Sequence, residues 1–227
     1  MWTIGEVKQQ GKNAFKANYF NSVIVAFLLS LLAGGTSASV GKQTSSEEFK
    51  TQLFALDPMI IYTLFALLST IAITSLLLRI FLFNPLEVGG YRFFKKNVET
   101  QNATVGIIGE GFSNYGHIFI TLFLRDLFLV LWTLLLFIPG IIKGYSYRMI
   151  PYILKDNPEL SATEVITKSR QMMDGHKWHA FVLDLSFIGW AILSIITCGL
   201  VGIFWYDPYK ENTNAALYLT LSKEHQF

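Results

Sequence analysis

Six ionisable side chains stand where their neighbours are apolar. Arg79, Arg125, Asp126, Arg148 and Asp184 lie inside hydrophobic stretches, and Glu87 lies just past the end of one. A charged group in hydrocarbon costs about 2.5–3.5 kcal/mol on insertion scales, so such groups turn toward a protein interior and find partners. The planar arginine fork matches a carboxylate or a phosphate through two parallel hydrogen bonds. Two kinds of chemistry are open to this set. It forms a neutral ion-pair network that locks helix packing, or it lines a cytoplasm-facing cavity that holds an anionic group such as a lipid phosphate. Asp184 with Arg148, and Asp126 with Arg79 or Arg125, are pairs the charges allow. Three arginines against two aspartates leave one positive charge, and none if Glu87 joins.

Few other residues offer chemistry. Cys198 is the one cysteine, which excludes an intramolecular disulfide and a cysteine-rich metal site. His176 and His179 could share a helix face, but two histidines without further ligands do not make a zinc site. Beside Lys177 and Trp178 they read as an interfacial anchor. The run Gly106-Ile107-Ile108-Gly109-Glu110-Gly111 lies in a polar linker with no preceding strand, so it does not carry a nucleotide reading. No Ser, His and Asp set of defined spacing occurs. The expectation is therefore no catalytic residue, no metal and no cofactor. The alternative is a membrane enzyme acting on a lipid headgroup at the inner leaflet, with Asp126, Asp184 or His117 as acid or base; it lacks a nucleophile or metal.

The elements that must position these charges are hydrophobic helices. Of 227 residues, 52% are apolar and only 15% charged, where soluble domains carry about 25% charged residues. Mean hydropathy is +0.42. Crossing about 30 Å of hydrocarbon takes about 20 helical residues. Residues 59–83, 117–138 and 178–206 meet that length, whereas 19–40 and 141–154 are weaker. This predicts an all-α, polytopic bundle of about six spans (19–38, 59–83, 117–138, 140–155, 178–197 and 200–220), with five as the alternative. It forms one integral membrane domain over 1–227. With both termini inside, twelve Lys and Arg fall in cytoplasmic segments, against Lys42 and Lys50 outside, which is the asymmetry that positive-inside insertion produces. Residues 34–57, rich in Ser, Thr and Gly, form the outer loop. The formal charge of +2 is too small to imply a nucleic-acid partner. Membrane lipids, and another membrane subunit, are the partner classes that remain.

Amphipathic stretches precede two of the apolar pairs. Ile4, Val7, Gly11, Ala14 and Phe15 share one helical face, as do Ala162, Val165, Ile166, Ser169, Met172 and Met173. Ser161 and Glu164 form a capping box ahead of the second. These predict interfacial helices over 1–18 and 159–176. Three apolar helices end in an aromatic residue, a spacer and proline: Phe83-Asn84-Pro85, Phe137-Ile138-Pro139 and Tyr206-Asp207-Pro208. At a rise of about 1.5 Å per residue, Arg79, Arg125, Arg148 and Asp184 all lie roughly 7–12 Å from the cytoplasmic ends. One shared polar cluster follows from that common depth.

From Leu131-Trp132 through Pro139-Gly140 to Lys143-Gly144-Tyr145-Ser146-Tyr147 the chain resembles a known family. Asp156-Asn157-Pro158, Ser169-Arg170, Gly175-His176-Lys177-Trp178, Asp184-Leu185-Ser186 and Pro208-Tyr209 extend the likeness. It is similar to the domain of unknown function 975 family, small integral membrane proteins mostly of Gram-positive bacteria. The likeness covers nearly the whole chain and is most specific from Leu131 to Tyr218. That family is distantly similar to the membrane domain attached to some glycerophosphodiester phosphodiesterases, whose active site has no counterpart here. The resemblance implies a bacterial multi-pass membrane protein and no activity. The function these observations support is a non-enzymatic accessory or transporter-like membrane protein that contacts anionic lipid or an amphiphile.

Overall fold

The computed structural model describes residues 2–32 and 57–224. The outer loop expected at 34–57 lies, apart from Asp57, outside the described residues, and so does the side chain of Arg79. The described residues are all-α.

Helix α1 (Ile4–Ala17) starts at a capping box in which the Thr3 hydroxyl accepts from the Glu6 N–H and the Thr3 N–H donates to the Glu6 carboxylate. Its buried face is Val7, Gly11, Ala14 and Phe15. After Asn18 the axis turns by 107° into α2 (Tyr19–Leu32). Helix α3 (Pro58–Leu78) continues through a π-helical turn, Arg79–Phe83, into α4 (Asn84–Thr100). A short 3₁₀ segment, Val105–Phe112, leads to α5 (Tyr115–Leu135). Leu136 is extended, and α6 (Phe137–Ser146) follows it. Then come α7 (Ile150–Asp156), α8 (Ala162–Met172), α9 (Lys177–Leu185) and α10 (Ile188–Ile196). Cys198 and Gly199 reverse the chain with positive φ values of 50° and 88°, a conformation cheap for glycine and costly for cysteine. A second π-helical turn, Gly202–Tyr206, runs into α11 (Asp207–Glu224).

Burial divides these helices into two sets. Large side chains of α1, α4, α7, α8 and α11 form the core, including Phe15, Phe93, Phe94, Tyr152, Ile153 and Met172. The most apolar helices do the reverse. Phe20 of α2 is 79% exposed, Met59 of α3 78%, Leu134 of α5 79% and Ile195 of α10 78%. Soluble monomers rarely expose contiguous apolar patches beyond a few hundred Å², so these helices are built for an apolar surrounding.

Two helices are long and apolar enough to cross a membrane, Tyr115–Leu135 and the joined α9–α10 (Lys177–Ile196), or three if the bent α1–α2 pair is one span. Helix α3 adds a shorter apolar stretch, Met59–Ile71. This corrects the six spans read from the sequence. The span placed at 140–155 is not one helix: α6 has 10 residues, about 15 Å, and the next helix, α7, has its apolar residues Ile150–Leu154 buried in the core. The span placed at 200–220 becomes α11, whose Asn212, Thr213 and Asn214 are buried against protein. Hydropathy counts apolar residues without telling a lipid-facing side chain from one packed against protein. The apolar faces of α1 and α8 are those the periodicity predicts, and protein rather than solvent covers them.

Prolines explain the two π turns. Pro85 and Pro208 lack an N–H and crowd the carbonyl four residues back, and the wider turn before each lets the helix continue. The third proline motif differs, since Pro139 lies in the first turn of α6 after a break.

Close helix approach rests on glycine at Gly89 and Gly111. A Cβ on Gly89 would lie 2.0 Å from the Ile108 carbonyl oxygen, and one on Gly111 1.9 Å from that of Pro85. The 3₁₀ segment therefore lies directly on α4. Gly89→Ala lowers the thermal midpoint in detergent, with a loss of about 1–3 kcal/mol or more. Gly5→Ala, where nothing lies within 4 Å, leaves the midpoint unchanged or raises it; equal midpoints for the two variants would contradict the packing.

Candidate functional site

The charged residues gather where the apolar helices meet the core. Each π turn delivers a charge to this seam: Glu87 stands two residues after Pro85, and Lys210 two after Pro208. Arg148 comes from the turn between α6 and α7, and Asp184 from the last turn of α9.

Arg148 and Asp184 form a two-pronged pair, with Nη1 to Oδ2 at 2.9 Å and Nη2 to Oδ1 at 3.0 Å. Their side chains keep 16% and 27% exposure. The Tyr145 hydroxyl also donates to Asp184 Oδ2 at 3.0 Å, Arg148 Nη2 donates to the Asn214 side-chain Oδ1 at 2.6 Å, and Lys210 Nζ stands 3.9 Å from Asp184. One carboxylate thus holds together α6, α9 and α11.

Arg125 forms a second group. It donates to Glu87 at 3.0 Å and to its neighbour Asp126 at 2.9 Å. This group opens into a cleft of about 290 Å³ lined by Leu32, Phe83, Asn84, Glu87, Tyr91 and Arg125. The six sequence candidates are therefore not one cluster. Arg125, Asp126 and Glu87 meet in one group and Arg148 and Asp184 in another, while the side chain of Arg79 is outside the described residues. Tyr91 lies between the groups: burial, with Glu211 and Glu87 near it, pushes its hydroxyl far above the usual tyrosine value, while Arg125 and Arg148 oppose that shift. Its ring meets Tyr152 edge-on at 5.1 Å, and Tyr152 stacks on Tyr218 at 4.9 Å.

Three polar assemblies went unread in the sequence. Asp156, at the end of α7, accepts from Arg92 at 2.9 Å, from Lys95 at 2.6 and 2.7 Å and from the Tyr218 hydroxyl at 2.6 Å. Asn97 and Asn212, both fully buried, are joined at 2.8 Å, and Asn97 also donates to the Ala14 carbonyl and the Ser22 hydroxyl. Lys155 reaches the C-terminal end of the 3₁₀ segment, bonding the carbonyls of Glu110 and Ser113, so a lysine closes otherwise open acceptors. The available signal was polar residues on buried helical faces: Asn97 between Phe94 and Val98, and Asn212-Thr213-Asn214 ahead of an apolar run. His176 accepts from the Trp2 indole at 3.2 Å, and His179 packs edge-on against the same ring at 5.8 Å. The histidine pair thus anchors α1 beside α9.

The Arg148–Asp184 pair, Asp156 with Tyr218, and the α8 face all fall within one sequence block. Residues 128–225 match a family described as protein of unknown function (DUF975). The match covers 98 of the 227 residues. It begins inside α5, so Arg125, Asp126 and Glu87 lie outside it, and it is narrower than the likeness read over nearly the whole chain. No curated protein and no solved structure matches the chain.

Two outcomes follow. Arg148→Leu leaves Asp184 without its main partner and destabilises the detergent-solubilised protein by up to about 3–5 kcal/mol, whereas the double variant with Asp184→Leu recovers much of that loss. Thermal midpoints of the wild type, the two single variants and the double variant check this, and additive losses would contradict a coupled pair. Burial raises the Glu211 carboxyl above its usual value, against the opposing pull of Lys210 and Arg148. A raised folded-state value means that the native protein holds a proton the unfolded chain releases. Stability from this group is present below the ordinary glutamate range and falls as pH rises through the folded value. Glu211→Gln therefore flattens the fall of the midpoint that sets in as pH rises above the ordinary glutamate range, and an unchanged pH profile would contradict the buried acid.

Proposed function

We propose that the protein is a non-enzymatic, multi-pass membrane protein, an accessory or transporter-like component. In this reading its apolar helices contact lipid, and its amphipathic helices form a cap on the cytoplasmic side. The observation that carries it is the inverted burial, with apolar helices exposed and the core confined to the more polar ones. The arginines support the same reading. Arg125 and Arg148 bind carboxylates of this chain, so the seam charges act first as fasteners between helices. Asp126 and Asp184, the acids a headgroup-directed enzyme would use, are engaged by arginine.

Both termini are placed at the cytoplasmic face in this reading, on the side of the lysines and arginines of 8–16, 92–96 and 155–177 rather than of Lys42 and Lys50. The resemblance to small bacterial membrane proteins, and distantly to the membrane domain of some glycerophosphodiester phosphodiesterases, favours the bacterial cytoplasmic membrane. Lipids are the first partners, and another membrane subunit is the second.

Cys198, exposed at the reversal after α10, tests the orientation. In intact cells a membrane-impermeant maleimide labels Cys198 directly, whereas a cysteine replacing Lys96 in a Cys198→Ala background is labelled only after permeabilisation. The opposite pattern would overturn the orientation.

A further inference from the structure

Three cations with one acid among them lie away from the seam. Between the second half of α5, α6 and α8 runs a groove of about 350 Å³ lined by Phe128, Trp132, Lys143, Tyr147, Ile166 and Arg170. A second hollow of about 330 Å³ shares Lys143, Thr167 and Arg170 and reaches Lys177. Arg170 and Lys177 both lie close enough to Lys143 to repel it. The nearest compensation is Asp174, which pairs with Lys177 at 3.1 Å and is 82% exposed. Among the described residues no carboxylate pairs with Lys143 or Arg170; the lysine ammonium instead stands 4.6 Å over the Trp132 ring. Arg92, Lys95, Arg125 and Arg148 each bind a carboxylate, whereas in this group only Lys177 does, so the group holds charge to spare. Three cations against one acid leave the groove doubly positive.

The surroundings specify what would neutralise it. Next to the cations, Leu131, Leu134, Leu135, Ile138, Ile141 and Ile142 are exposed, between 47% and 79%. The groove thus sets a cationic mouth with threonine hydroxyls beside an apolar strip and an indole, the polarity order of a membrane interface. We propose that this groove binds the headgroup of an anionic glycerophospholipid, its phosphate between Lys143 and Arg170 and its acyl chains along α5 and α6. The proposal rests on the membrane reading above and adds to it a defined lipid site. Arginine supplies a fork for the phosphate oxygens, lysine a point charge, and Lys177 faces the remainder of the headgroup. A zwitterionic lipid would bring its own cation into a positive site, so anionic lipids are selected.

The test uses the full chain, delipidated in detergent and titrated with phosphatidylglycerol or phosphatidylcholine, with bound lipid counted by native mass spectrometry. Wild type retains phosphatidylglycerol in preference to phosphatidylcholine. Lys143→Gln and Arg170→Gln each weaken that binding about fivefold, and the pair together about 30-fold. The charge-keeping exchange Lys143→Arg with Arg170→Lys retains most of it, and Lys12→Gln with Lys16→Gln, on α1, leaves it unchanged. Phosphatidylglycerol bound equally by wild type and the double glutamine variant would overturn the site. So would glycerol phosphate displacing the lipid at equal concentration, which would show a headgroup site without acyl-chain contact. Carbonate extraction separates the two levels: release of wild type from membranes would defeat the membrane reading, whereas retention without lipid preference would defeat only the groove.

Discussion

A charge at the boundary between protein and hydrocarbon must be answered by the chain itself, because lipid tails offer neither water nor a hydrogen bond. Arg148 and Asp184 meet that demand through two parallel bonds, reinforced by Tyr145 and Asn214. The pair closes three helices around one point, and the route of the chain follows from it. Helix α6 must end near Tyr147 so that the arginine can turn inward, α9 must bring Asp184 to the same level, and α11 must start with a polar turn. Arg125 with Glu87 does the same between α4 and α5. Neither pair is a large source of stability on its own, since the cost of removing two ions from water offsets most of their attraction. Their effect is on specificity: other packings would strand a charge.

Beneath the seam, buried amides replace ions. Asn97 and Asn212 join α4 to α11 and reach α1 and α2 through the Ala14 carbonyl and the Ser22 hydroxyl. The Asp156 hub ties α7 to α4 and α11. Such networks are strong when every member is satisfied and costly when one is not. They give the cap one arrangement, on which the helices with exposed apolar faces are mounted.

Periodicity made the faces of α1 and α8 legible, because Val7, Ala14 and Phe15, or Val165, Ile166 and Met172, recur at helical spacing. Charge in an apolar stretch pointed to Arg125, Arg148 and Asp184 by the same logic. The number of spans was not legible. Ile150–Leu154 and the apolar half of α11 have the composition of lipid-facing segments, and only tertiary contacts show that they face protein. The division of the charges into two groups was equally hidden, since helix rise gives depth along an axis and says nothing of position around the bundle. Nothing in the sequence singled out Asp156 as a site residue, since it stands one position past the apolar stretch, although it closes a helix at the centre of three partners.

The central claim is that hydrocarbon covers the exposed apolar helices while the cap stands in water on one side. Spin labels at Phe20, Leu134 and Ile195, compared with labels at Gln9, Glu99 and Lys223 in lipid nanodiscs, test it most directly through collision with oxygen and with a water-soluble nickel chelate. The account predicts high oxygen and low nickel accessibility at the first three sites and the reverse at the other three. Strong nickel collision at Leu134 or Ile195 would contradict it.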